Sequence, residues 1–343
     1  MATLEGALES VADEGNESAD TLLNNYRSVK RYLEREYYPW VLNNCRWFTD
    51  HGEKHVKSVI SQLDCLLSEE LESDDYGSLS YMDMYLLLTS AIWHDVGMVS
   101  KRAGHEDEAA RIAAEIQDLA FPNTGIQSVV SRIVKAHTGD GKNGLEIPRT
   151  KTEVTIGHES FTVKSRSLSA LLRFADEISE NQERVSAGSA IWANIPEESE
   201  IYWRFADSIT GIVSKPRRNT VSVNIELTQE SAMDRYPVPD EYESRGTDGK
   251  ITLIEYIICR IEKMNNEKVY CASEFRGFVD IRNMQVRLSL IGEGGEIEEE
   301  INETLGISGL ASADGYPNVE IYDKFFQKNK RLSPEKLEAV EGE

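Results

Sequence analysis

The sequence predicts an α+β fold, an all-helical domain followed by a smaller mixed α/β region. From Asp20 to about residue 180, apolar residues recur three and four apart, the period of helices that bury one face. After Arg184 apolar and polar residues alternate in segments rich in β-branched side chains, as half-buried strands do. The length of 343 residues, 40% of them hydrophobic, suffices for one large core or two ordinary ones.

In chain order, residues 1–19 are small, acidic and unpatterned, so a disordered leader is expected. "TLLNNYRSVKRYLEREYYPWVL" then reads as a helix ending near Pro39. Further helices are expected at about 51–70, 80–95, 105–119, 124–138 and 165–180, completing a helical domain over 20–188. The second region is expected over 189–325. There "EIYWRFADSITGIVSK" and "NTVSVNIELT" read as strands, "ITLIEYIICRIEKMNNEK" as a helix, and "FRGFVDIRNMQVRLSLIG" as one long or two short strands. "KPRR" at Lys215–Arg218 falls in a loop between strands, while "EGGEIEEEINETLG" and the charged tail 326–343 are expected to be solvated.

Sixty acidic against 37 basic residues give a net charge of -23 and a pI near 4.8. A surface of that sign disfavours duplex nucleic acid and anionic membranes, which need Lys and Arg, but leaves room for a local basic pocket that takes a small anionic phosphate compound. Cys45, Cys65, Cys259 and Cys271 are far apart with no CxxC pair, the pattern of core or surface thiols in a reducing compartment. No basic start, apolar signal core or membrane-length run appears. A cytoplasmic protein is expected, with homo-oligomerisation left open.

Of six histidines, five fall between residues 51 and 137. His51 and His55, four apart in "DHGEKHVKSVI", share a helix face. "LLLTSAIWHDVGM" delivers His94 and Asp95 at the end of an apolar helix, with Gly97 free to turn the chain away. His105 opens a helix in "KRAGHEDEAAR", and His137 closes one in "VSRIVKAHTGDG". In "SLSALLRFADEIS" Asp176 lies one turn after Leu172 on the apolar face, where a carboxylate demands a cation. Singly, each has a plain reading: a hydrogen-bonded core histidine, or an Asp176–Arg173 pair within one helix. Together the series His, His-Asp, His, His, Asp supplies imidazole nitrogen and carboxylate oxygen. That is a ligand set for Mn, Ni, Fe, Co or Zn, and enough for two ions bridged by one carboxylate.

The stretches "HGEKHVKSV", "LLLTSAIWHDVGM" and "LSALLRFADEIS" resemble, in order, the motifs of the HD-domain superfamily of metal-dependent phosphohydrolases, over about residues 40–185. The resemblance implies an HD-type domain. It also implies a first metal on His55, His94, Asp95 and Asp176, a second on His105 and His137, and Asp95 between them, with His94 and Asp95 central to catalysis. The activity implied is hydrolysis of a nucleotide or related phosphoester by a water activated between two ions. Two other readings stay open: an HD-type single-strand nuclease, and a metal-stabilised module that senses a nucleotide or docks to a partner without turnover. His51 is expected to face substrate, with Lys101, Arg102, Lys135, Arg173 and Arg184 as cations for its phosphate. The region after Arg184 loosely resembles the HD proteins that accompany Hsp90-like ATPases, which makes a partner ATPase an expectation. "GYP" at Gly315–Pro317 resembles a motif of the cyclic-dinucleotide branch but lies far from every histidine, and is read as chance.

Overall fold

The computed structural model describes residues 2–45, 47–73, 76–116, 120–138, 151–185, 192, 194–292, 294–306 and 321–332. Order begins at the start of the chain, where a disordered leader was expected. Leu4–Asp13 form helix α1, capped by Thr3, whose Oγ1 accepts from Gly6 N at 3.0 Å. Leu4 and Leu8 are fully buried. Acidic and small residues hide this helix in the sequence, yet Leu4, Ala7, Leu8 and Val11 keep the helical spacing. The buried Asp64 carboxylate accepts from Leu4 N at 2.7 Å and holds the helix start.

Asn16 caps α2 (Glu17–Glu36), and Pro39 opens α3 (Tyr38–Asn44) instead of ending a helix, because the first turn has no use for its missing N–H. Next come α4 (Glu53–Leu66), α5 (Ser68–Leu71) and α6 (Tyr81–Trp93). Every residue from Met82 to Trp93 is buried, so α6 is the central rod on which α1, α2, α4 and later helices pack. α7 (His105–Glu115), α8 (Thr124–Lys135) and α9 (Ser165–Glu177) complete the helical region.

Three elements depart from the expected pattern. A hairpin of β1 (Thr152–Ile156) and β2 (Glu159–Val163) interrupts the helices, turning at Gly157 with φ +58°; its strands are too short to stand out from helical neighbours. "EIYWRFAD" is not a strand but most of α10 (Glu197–Ser208). Ile201 and Phe205, four apart, are buried, and three glutamates in the first turn suit a helix start. The acidic run after Gly295 is an edge strand, β8 (Ile297–Leu305), of which only Ile301 is buried; its charge suits an edge that must not pair further.

The main sheet has the order β3 (Ile209–Lys215), β4 (Thr220–Thr228), β7 (Asn283–Ile291), β8. β4 and β7 run parallel, as a helical crossover requires. That crossover holds α11 (Gln229–Met233), the small pair β5 (Arg235–Pro237) and β6 (Lys250–Thr252), and the long α12 (Leu253–Phe275), begun by a Thr252/Glu255 capping box. Pro216–Arg218 make one 3₁₀ turn between β3 and β4, and α13 (Tyr322–Lys328) follows the sheet. Residues 315–317 and 333–343, the last part of the expected tail, lie outside the described residues.

One apolar core runs from Leu4 to Leu332 through both regions. Five ion pairs among the described residues hold α12 against α9 and the turn beyond it in a single antiparallel register: Arg166–Glu274 at 3.0 Å, Arg173–Glu267 at 2.6 Å, Glu177–Lys263 at 3.3 Å, Glu177–Arg260 at 3.2 Å and Glu180–Arg260 at 3.6 Å. All four cysteines are free. Among the described residues no helix is long and apolar enough to cross a membrane.

Candidate metal centre

The buried rod α6 ends at Trp93, so His94 and Asp95 leave it at fixed positions deep in the molecule. Gly97 does not act as the swivel that the sequence suggested. A Cβ there would lie 1.9 Å from the His105 carbonyl oxygen and 2.7 Å from Ala109 N. Glycine is required because the start of α7 presses its backbone against this turn, and that approach brings His105 to the centre.

The two oxygens of Asp95 face different histidines. Oδ2 lies 3.3 Å from Nε2 of both His55 and His94. Oδ1 lies 3.2 Å from His105 Nε2 and 3.7 Å from His137 Nε2. Asp176 Oδ1 joins the first group, 3.0 Å from His55 Nε2 and 3.8 Å from His94 Nε2. Six residues from α4, the end of α6, the start of α7, the end of α8 and α9 thus meet at one point.

Hydrogen bonds fix the histidine tautomers. His94 and His105 donate from Nδ1 to the carbonyls of Ala91 and Arg102, each at 2.8 Å, and His137 to that of Val134. His55 Nδ1 lies 3.2 Å from Ser179 Oγ. That hydroxyl gives its own proton to the Asp176 carbonyl at 2.8 Å, so His55 must be the donor. All four rings therefore turn Nε2 inward, as a lone pair whenever the imidazole is neutral. Nε2 of His55 and His94 are 3.1 Å apart, and those of His105 and His137 3.2 Å apart. Lone pairs at that separation repel unless a cation lies between them.

The electrostatics agree. Burial pushes His94 toward neutrality, but Asp95 and Asp176 outweigh it and draw its pKa up to about 9. Burial likewise opposes a rise at His105 that its bond to Asp95 brings about, whereas at His137 burial prevails and the pKa falls. Burial would raise both carboxyls, yet the surrounding imidazoles hold Asp95 and Asp176 below the usual carboxylate range. The cage attracts positive charge, and its nitrogen and oxygen donors, each oriented by a further hydrogen bond, fit divalent transition metals. His55, His94 and Asp176 bring donor atoms within 4.8 Å of one another, as do His94, Asp95 and His137.

A cavity of about 810 Å³ opens onto this cluster and is walled on the far side by α10 and the Pro237–Glu241 segment. His51, Arg102 and Arg184 line it. His51 donates to the Thr49 carbonyl at 2.5 Å, and its Nε2 lies 3.4 Å from Arg184 Nη2. Burial, with the Arg184 charge beside it, lowers its pKa to about 3, so it is neutral and accepts from Arg184. Arg184 is buried, donating to the Asp50 carbonyl at 3.0 Å and pairing with Glu180 at 3.0 Å. The Arg102 guanidinium sits 3.9 Å from the Phe48 ring centroid, and among the described residues it has no carboxylate partner.

The other three expected substrate cations do not line the cavity. Lys101 is exposed on the turn before α7. Lys135 lies on the outer face of α8, paired with Asp107 at 2.6 Å. Arg173 is buried against Glu267. The cavity instead takes Arg260 and Lys263 from α12, together with Tyr202 from α10. Nothing in the sequence marked them, because α12 reads as an ordinary amphipathic helix and only its docking on α9 brings them here.

A family model, HD-CE, matches residues 43–243; no curated protein and no solved structure matches. The match runs past the helical region to take in α10 and the Pro237–Glu241 segment, so the far wall of the cavity belongs to the same unit as the histidine and aspartate cage at its floor. All six residues of the cage lie within that span, which covers more than half of the sequence, and the chain belongs to the HD-CE family.

Proposed function

We propose that this protein is a metal-dependent phosphohydrolase acting on a nucleotide or related phosphoester. The observation that carries the reading is Asp95, a buried carboxylate with each oxygen facing its own pair of histidines. The residues suit two divalent ions, one with His55, His94 and Asp176, the other with His105 and His137, and Asp95 shared. Ions bound there supply Lewis acidity toward a phosphoryl oxygen and lower the pKa of water.

The protein's own contribution is preorganisation. Each imidazole is locked in one tautomer by its Nδ1 bond, so little rearrangement accompanies binding. Arg184, pinned by Asp50, Glu180 and His51, holds its remaining N–H donors at the cavity for a phosphate oxygen. Arg102 adds a second cation, with no carboxylate partner among the described residues, and Phe48 and Tyr202 give apolar surface to the rest of the substrate. A cavity of about 810 Å³ has the size of a small-molecule site.

Its lining carries seven carboxylates (Asp95, Asp176, Glu177, Glu180, Glu198, Asp240, Glu241) against four cations (Arg102, Arg184, Arg260, Lys263). An excess of three negative charges suits an anion only when divalent ions reverse the sign. It suits a running polyanion poorly, which favours a small phosphoester over a single-stranded nucleic acid.

The test is protein loaded with Mn or Ni, offered nucleoside triphosphates, cyclic nucleotides and single-stranded DNA, with bound metal counted in parallel. The expected result is phosphate release from a nucleotide. Asp95→Asn should reduce it at least ~100-fold and lose both ions while circular dichroism stays unchanged. Wild-type protein that binds no metal, or an Asp95→Asn variant with full metal and turnover, refutes the proposal.

A further inference from the structure

Arg173, expected from the sequence to meet substrate, is aimed elsewhere. Its Nε and Nη2 each lie 2.6 Å from a Glu267 carboxylate oxygen, and the two side chains are 3% and 5% exposed, the most buried of the five pairs that join α12 to α9 and the turn beyond it. Its Nη1 donates to the Thr138 carbonyl at 2.9 Å. Thr138 follows His137 directly, beyond the end of α8 at Lys135, where carbonyls have lost their helical N–H partners.

We propose that Glu267 and Arg173 are positioning residues for the His105–His137 side of the centre: the carboxylate fixes the guanidinium, the guanidinium fixes the Thr138 carbonyl, and that carbonyl fixes the backbone from which His137 projects. The inference rests on the metal-binding reading above. Stability alone does not explain the pair, since a buried ion pair can often be exchanged for apolar side chains with little loss. What the bidentate fork supplies is direction. It spends three donors in one plane, two on α12 and one on the chain beside a candidate ligand. In this way a helix some ninety residues downstream of α9 sets the geometry of the centre.

The experiment titrates Mn into full-length protein by calorimetry, with thermal melting alongside. The test variant is Arg173→Met/Glu267→Leu, which removes the tether and both charges of the pair together. One Mn equivalent should weaken about 10- to 100-fold and the other stay within about threefold, with the apo melting temperature near wild type. Adding His137→Ala should weaken Mn by less than the same change does in the wild type, because both changes act on the same ion. Unchanged Mn affinity, or equal weakening of both equivalents, overturns the assignment. If the double variant does not fold, Arg173→Lys serves: it keeps a charge opposite Glu267 but lacks the second arm for Thr138, and must show the same selective loss. Wild-type protein that takes up no Mn overturns the metal reading and this inference with it, whereas two normal Mn equivalents in the variants overturn this inference alone.

Discussion

Replacing Asp64 by asparagine should stabilise the protein near neutral pH and do little in acid. Asp64 is 7% exposed, on the inner face of α4, where its Oδ1 accepts from Leu4 N at 2.7 Å. Burial raises its pKa from 3.8 to about 6; the Leu4 N–H opposes the rise and Glu5 adds to it. The folded state thus binds this proton more tightly than the unfolded state. The stability Asp64 contributes is therefore fully present below about pH 4 and is lost as pH climbs through about 6. Some two pKa units correspond to about 3 kcal/mol, an upper figure because the site keeps some solvent. Asparagine retains an oxygen for Leu4 N and carries no charge, so the gain at pH 7.5 should be roughly 1–3 kcal/mol, less whatever its amide N–H groups lose on burial. With 343 residues the unfolding entropy is about 0.7 kcal/mol per degree, so this amounts to about 1.5–4 °C. Melting both proteins at pH 7.5, 6 and 4.5 reads the effect. A variant that melts lower at pH 7.5, or by the same increment at every pH, would show that the carboxylate is not held at a cost.

Gly97→Ala places a Cβ where the His105 carbonyl oxygen now lies, so α7 must retreat. One of two Mn equivalents should be lost, with destabilisation of about 1–3 kcal/mol or more; two normal equivalents would refute the close-approach argument. Arg102→Ala removes an exposed cation that has no carboxylate partner among the described residues, so KM for the cleaved nucleotide should rise about tenfold, near 1.4 kcal/mol, with kcat and the melting temperature almost unchanged. A fall in kcat at constant KM would place Arg102 with the reacting atoms rather than at the substrate's periphery.

The order of the cage was legible in the sequence because its parts are scarce and local. Five of the six histidines in 343 residues fall between residues 51 and 137, and the four in the cage each marked a helix end or face that one stretch of sequence suffices to read. The α+β class was equally legible from the change of period near Arg184. What stayed hidden depends on contacts distant in sequence. α1 looked like a solvated leader because an acidic stretch hides four apolar positions, and its burial is decided by α2, α6 and Asp64. The strand reading of "EIYWRFAD" followed its β-branched and aromatic content, yet Ile201 and Phe205 also satisfy a helical stripe, and tertiary packing decides between them. Gly97 was recognised as special but for the wrong reason, since its neighbour is a backbone eight residues on, not its own turn.

The cations show the same limit in its sharpest form. A lysine or arginine near a motif is near in sequence, whereas facing the cavity depends on the helix phase and on what else competes for the charge. Lys135 is two residues from His137 and points outward to Asp107; Arg260 is far from every motif and lines the cavity. Even those that arrive are mostly neutralised, Arg184 by Glu180 and Arg260 and Lys263 by Glu177. The net charge of -23 left room for a local basic pocket within an acidic body. The described lining is acid-rich instead, and on the proposed function ions held by the histidine cage would reverse its sign. On the proposed function, attraction of a phosphate and occupancy of the cage would be a single electrostatic event, and the same carboxylates that would repel a phosphate from the bare protein would be those that draw in the metals.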